Sequence, residues 1–241
     1  MSGRRALVTG GSRGLGRAIV ERLAADGWLV AFTCRAAGDI AALEAGHDGR
    51  VLGVVLDLAD HDGPERVVRA LESGWGPIDG LVNNAGAGFT RLAAATSDAD
   101  WDRTLDVNLG GAFRCCRAVL PPMVSRRRGA IVNLSSLAAV SGVAGQAAYA
   151  AAKAAMLGLT RTLAREVGRR NIRVNAVVPG FVATDMTAPL GPDEVRALRA
   201  HECLPGGTTP ADVAAVVALR LSEGAAAVTG QAWHVDAGTT A

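Results

Sequence analysis

The stretch ALVTGGSRGLGRAIVERLAADG, residues 6–27, decides the fold. An apolar run, ALVT (6–9), breaks into the glycine-rich TGGSRGLG (9–16). An amphipathic stretch, GRAIVERLAADG (16–27), then closes on Gly27 as a helix stop. That is strand, tight turn and helix in succession, and the rest of the chain repeats the alternation. Further short apolar runs are WLVAFT (28–33), VLGVVL (51–56), GLVN (80–83), AIVNLS (130–135), RVNAVV (173–178) and AWHV (232–235). Most are apolar throughout, the pattern of strands buried on both faces of a parallel sheet. Helix-length segments separate them, with no linker or low-complexity break. The order predicts an α/β fold with one domain over 1–241. Its core is a doubly wound parallel sheet of about seven strands, Rossmann-like, with helices on both faces.

Composition narrows the function. Hydrophobic residues make up 49% of the 241 and aromatics only 4%, so small aliphatic side chains must pack the core. The formal charge of +2 gives no bulk attraction to nucleic acid or membrane. There is no signal-type apolar region and no 18-residue apolar span, so a soluble, cytoplasmic protein is expected. Cysteines 34, 115, 116 and 203 lack CxxC or Cys/His ligand spacing, and no metal is expected. The neighbours Cys115 and Cys116 are expected to face different sides of a helix as small hydrophobes, in a reducing compartment.

In such sheets ligands bind beyond the carboxyl ends of the strands. After the first strand, Gly10, Gly14 and Gly16, with Ser12, Arg13 and Leu15 between them, let the backbone approach a pyrophosphate at a helix N-terminus. The spacing is GxxxGxG rather than GxGxxG. After the second strand, TCRAAGD puts Arg35 where an acid would bind a ribose 2′-OH. Arg35 and Arg13 together suit a 2′-phosphate, so NADPH is expected, with Asp39 the opposing sign.

YAAAK (149–153) holds the only tyrosine and the only lysine in the chain. Four positions apart, the two share one helix face. A phenol with an ordinary pKa of about 10 is a sluggish proton donor near neutrality. An ammonium one turn away is expected to lower it, making Tyr149 the acid and Lys153 its tuner.

TGGSRGLG, NNAG (83–86), a serine pair after the fifth strand, YAAAK, PGFVATDM (179–186) and VTGQAWHVDAG (228–238) together resemble the short-chain dehydrogenase/reductase family. Within it the sequence is most similar to the 3-oxoacyl-(acyl-carrier-protein) reductases. The resemblance implies that Ser136 polarises a substrate carbonyl while Ser135 points elsewhere. It implies that Lys153 also holds the nicotinamide ribose, and that Asn108, in DVNLGG, holds a water linking the lysine to solvent. Asp57 and Leu58 would border the adenine; Asn83, Ala85 and Gly86 would line the cleft, with Asn84 serving the turn. Pro179, Gly180, Val182 and Thr184 would complete the nicotinamide end.

The implied reaction is NADPH-dependent reduction of a β-ketoacyl thioester on acyl carrier protein. The same residues would serve a polyketide or other specialised ketone, or an alcohol oxidised in reverse. A cofactor-binding sensor without turnover is the reading from another class, and the intact Ser/Tyr/Lys set argues against it. Arg127 and Arg170 fall at the family's carrier-docking positions, or else simply cap helix ends in solvent. Residues 187–207 have the pattern of a substrate lid or of an ordinary surface excursion. The stripe Met156, Leu159, Leu163 and Val167 would pack on the chain's own sheet or on a second subunit. A homotetramer is implied by the resemblance alone.

Overall fold

The apolar runs become strands because each is bracketed by glycine, polar or charged residues that cannot continue a buried ladder. The protein, described here as a computed structural model, is defined for every residue except 1–2, 89, 186, 189 and 190. Its strands are β1 (Arg5–Val8), β2 (Leu29–Cys34), β3 (Val51–Val55), β4 (Gly80–Asn83), β5 (Gly129–Leu134), β6 (Ile172–Pro179) and β7 (Ala232–Val235). Each lies within one residue of its predicted span. All pair in parallel, in the order β3-β2-β1-β4-β5-β6-β7. The central strands are buried on both faces, as expected. The edges are not: Val55 on β3 is 52% exposed and Trp233 on β7 is 38% exposed. An edge strand has a neighbour on one side only.

The helices, in chain order, are α1 (Gly14–Ala25), α2 (Ala41–Glu44), α3 (Gly63–Gly74), α4 (Asp98–Leu105), α5 (Gly111–Arg126), α6 (Ala138–Ser141), α7 (Ala147–Val167), α8 (Pro192–Arg199) and α9 (Pro210–Leu221). Alternate strand residues feed two cores. Val8, Val30 and Phe32 pack with Ile19 and Leu23 of α1 and Val213 and Val217 of α9. Leu7, Leu81 and Ile131 pack on the other face with Val68 of α3, Val119 and Met123 of α5, and Leu163 of α7.

One expectation is corrected on this second face, and one left open is decided. Cys115 and Cys116 do not face different sides of α5; both lie in the same core, because neighbours about 100° apart fit within one wide buried face. Burial pushes both thiols up to about 12. The stripe of α7 also packs inward, with Met156, Leu163 and Val167 buried and Leu159 partly so, against the chain's own core.

The chain reverses its winding between β1 and β4. A crevice therefore opens beyond the carboxyl ends of those two strands.

Candidate active site

The glycine loop sits at this crevice and is built from close approaches. A Cβ on Gly16 would stand 2.0 Å from the Gly10 carbonyl oxygen, and one on Gly10, at φ +66°, 2.9 Å from Ala85 Cα. Side chains on neighbouring strands fix the rest. The Thr33 hydroxyl accepts from Gly10 N–H (3.2 Å), and Thr9 Oγ1 accepts from the N–H groups of Asn84 (3.1 Å) and Ala85 (3.0 Å). Asn84 Nδ2 donates to the carbonyls of Thr9 and Gly10, each at 3.0 Å. Asn84 thus serves the turn, tying β4 to the loop.

The first turn of α1 has no side-chain cap and no acid, which leaves the N–H groups of Gly14, Leu15 and Gly16 for an anion. The Leu15 side chain itself packs on the core. Thr184 reaches the same loop, with its Cβ 3.6 Å from where a Gly14 Cβ would lie. The Arg13 and Arg35 side chains are exposed and have no hydrogen-bond or ion-pair partner among the described residues; Ser12, between the loop glycines, is half-buried.

The prospective catalytic side chains sit across the crevice. Lys153 is buried, and its ammonium donates to the Leu134 carbonyl at the end of β5 (2.8 Å). Ser135 donates to the Lys153 carbonyl (2.8 Å), so it turns inward, leaving Ser136 half-buried at the cleft. Lys153 Nζ lies 5.6 Å from the Tyr149 ring centroid, as four-residue spacing on one helix face requires. The loop after β4 runs across this face. A Cβ at Gly88 would lie 3.2 Å from Tyr149 Cδ2, and one at Gly86 would lie 2.6 Å from Asn108 Oδ1 and 3.5 Å from Lys153 Nζ. Asn108 is buried and donates to the carbonyls of Ala87 (2.6 Å) and Thr104 (2.8 Å). Its Oδ1 is buried without a partner among the described residues, an acceptor aimed at the lysine side of the cleft.

The electrostatics differ from expectation. Burial raises the Tyr149 pKa, and a hydrogen bond with Ser136 lowers it in opposition; the lysine charge does not bring it down. The reason is position, since Lys153 is turned to the Leu134 carbonyl rather than to the phenol oxygen. Burial also brings Lys153 down to about 8. The phenol is therefore held protonated at neutral pH, the form a proton donor needs.

Several predicted residues have side chains turned into the core rather than towards the crevice. The Asn83 side chain points into the sheet, donating to Asn133 Oδ1 (2.8 Å) and Cys116 Sγ (3.2 Å). Leu58 and Val182 are buried in the core, and Pro179 is buried at the end of β6. Gly180 packs on the C-terminal turn, where a Cβ would meet Asp236 Cα at 2.7 Å. Asp57 is exposed after β3.

One pair of predicted residues lies away from the crevice. Arg127 and Arg170 precede β5 and β6, at the opposite edge of the sheet, and α7 spans about 27 Å from Tyr149 to its far end. The two are neighbours there, since Arg127 donates to the Arg169 carbonyl (3.0 Å). Neither has an acidic partner among the described residues, unlike Arg126 with Glu72 and Arg128 with Asp79. In the 187–207 segment, positions 189 and 190 lie outside the described residues, as does 186 of PGFVATDM. The rest carries the exposed α8 and ends where Cys203 and Leu204 N–H groups bond the Ala237 carbonyl.

Sequence reasoning missed a buried polar column. Asn83 donates to Asn133, and Asn133 donates to Thr160 of α7 (2.9 Å), fixing the tyrosine-bearing helix to β4 and β5. Its only sequence signal is an asparagine inside each of two otherwise apolar strands.

The sequence model of a family described as enoyl-(acyl carrier protein) reductase matches residues 10–240. The chain is 39% identical to the 3-oxoacyl-(acyl-carrier-protein) reductase FabG of Vibrio harveyi, over 99% of this chain and 98% of that one. This chain belongs to the short-chain dehydrogenase/reductase family. As a short-chain dehydrogenase/reductase it is an oxidoreductase. It is also 40% identical to nodulation protein G of Rhizobium sp. (strain N33), over 99% of this chain and 97% of that one. A solved structure described as a putative gluconate dehydrogenase from Agrobacterium tumefaciens superposes with a TM-score of 0.94 at 32% identity. It covers 99% of this chain and 96% of that one. Among the described residues no helix is long and apolar enough to cross a membrane.

Proposed function

We propose that the chain is an NADPH-dependent ketoreductase that converts a β-ketoacyl thioester, carried on acyl carrier protein, to its β-hydroxyacyl form. One observation carries the reading: Tyr149, Lys153, Ser136 and the unpartnered Asn108 Oδ1 converge on the cleft faced by the glycine loop. The crowded glycines, the uncapped start of α1 and the two free arginines fit a phosphorylated dinucleotide. The loop would hold the pyrophosphate, Arg13 and Arg35 the 2′-phosphate, and Lys153 and Thr184 the nicotinamide end. The nicotinamide, when bound, supplies the hydride.

The chain supplies the proton and the charge stabilisation. Ser136 donates a hydrogen bond to the ketone oxygen, where negative charge develops. Tyr149 gives that oxygen its phenolic proton, completing the alcohol. Lys153, with one donor spent on Leu134, offers its remaining N–H groups to the nicotinamide ribose. Asn108 Oδ1 accepts from a water that returns a proton towards the lysine.

The uncompensated patch at Arg127, Arg169 and Arg170 suits an acidic carrier. Because it lies at the edge opposite Tyr149, a carrier docked there serves a neighbouring subunit's site, and the reading includes a homo-oligomer. The exposed face of α7, with open space beside Gly158, and the 43% exposed Phe113 on α5 support such packing.

The test is initial rates with acetoacetyl on acyl carrier protein against the same acyl group on coenzyme A, with NADPH and with NADH. Fast, NADPH-selective turnover preferring the carrier-bound substrate is expected. Turnover confined to other ketones or alcohols would move the substrate towards that of the gluconate-dehydrogenase-like neighbour and leave the chemistry intact.

A further inference from the structure

The segment that carries Asn108 is a π-turn, Asp106–Gly110, between α4 and α5. Such turns carry an extra residue in the helical ladder and concentrate at functional sites. Arg114, in the first turn of α5, has a side chain only 10% exposed. Its Nη1 donates to Asp106 Oδ1 (2.8 Å), and its Nη2 donates to the Leu58 carbonyl (2.7 Å) and the Asp106 carbonyl (3.3 Å). One planar fork therefore ties the π-turn to the loop after β3. Two adjacent glycines make room for it. A Cβ on Gly110 would stand 2.8 Å from Asp106 Oδ1 and 3.1 Å from Arg114 Nη1, and one on Gly111 would stand 2.9 Å from Leu58 Cβ. His61 closes the outer side, with Nε2 3.3 Å from Asp106 Oδ2. The guanidinium holds the Asp106 carboxyl below the usual carboxylate range, so the clamp stays charged at neutral pH.

We propose that Arg114 is a positioning residue that couples the two ends of the cofactor cleft. It touches neither reacting group. It joins the post-β3 loop, read above as the adenine border, to the turn that aims Asn108 at Lys153. Occupation of the adenosine end then stiffens the asparagine at the catalytic end. The inference rests on the cofactor-cleft reading of Leu58.

The test uses 2′,5′-ADP, a probe without a nicotinamide, and hydrogen exchange of amides 106–111 in the full-length protein. Wild type is compared with Arg114→Lys, whose point charge cannot serve Leu58 and Asp106 together. Bound probe is expected to slow exchange at least about fivefold in wild type, the lower end of ordinary coupling between sites. In Arg114→Lys the probe still binds but the slowing disappears. The variant's kcat falls about tenfold through the misplaced asparagine, with KM for the ketone unchanged. A merely structural role would lower stability and leave the ligand-dependent slowing in place. Asp106→Asn carries the same comparison if the lysine variant fails to fold. Equal slowing in the variants, or none in wild type with the probe bound by calorimetry, overturns the clamp. Failure of 2′,5′-ADP to bind wild type would instead sink the cofactor reading, and the clamp with it.

Discussion

The basic groups on the two sides of the cleft are held in opposite ways. Lys153 is buried, bonded to the Leu134 carbonyl and depressed to about 8, while the Arg13 and Arg35 side chains are exposed with no partner among the described residues. The lysine side is rigid before any ligand arrives. Its helix is tied down by the Asn83–Asn133–Thr160 column and by Ser135. The arginine rim has nothing but solvent to order it. On the proposed reading the difference separates two jobs: chemistry needs groups fixed in advance, whereas selection of a 2′-phosphate needs only charge that a ligand can recruit.

If that division is right, substitutions on the two sides should fail differently. The largest effect is expected at the hinge between them. Gly16→Ala forces a Cβ into the Gly10 carbonyl, and calorimetry should find NADPH binding lost while circular dichroism shows the sheet retained. Arg35→Glu should reduce the NADPH/NADH preference about 10- to 150-fold, the worth of a charged hydrogen bond of about 1.5–3 kcal/mol, with kcat little changed. A fall in kcat instead would merge the two regions. Asn84→Ala strips donors from the Thr9 and Gly10 carbonyls and should cost about 1–3 kcal/mol in urea unfolding, a loss confined to stability and cofactor affinity. The gentlest probe is pH. Lys153 carries its proton below about 8 and loses it above, so kcat/KM for NADPH, which reports the free enzyme, should decline as pH rises through that value. A profile flat across that point would show that the lysine charge is not needed.

The strands were legible because apolar runs buried on both faces leave little freedom, and each prediction fell within one residue of its strand. The glycine loop and YAAAK were legible because close approach and helix-face spacing are local properties. What stayed hidden depends on distant partners. No local pattern says that Lys153 would turn to Leu134 rather than lower the phenol's pKa, or that Asn83 would point inward to Asn133. The placement of Arg127 and Arg170 opposite the cleft follows from strand direction and could have been read from their positions just before β5 and β6.

The most direct test is the rate of NADPH oxidation with an acetoacetyl thioester by wild type and Tyr149→Phe side by side, with NADPH affinity measured on the same preparations. The account predicts a loss of about 10²- to 10⁴-fold in turnover, the ordinary worth of a positioned proton donor, with affinity unchanged. Turnover by the variant close to that of wild type, or affinity lost together with activity, would contradict it.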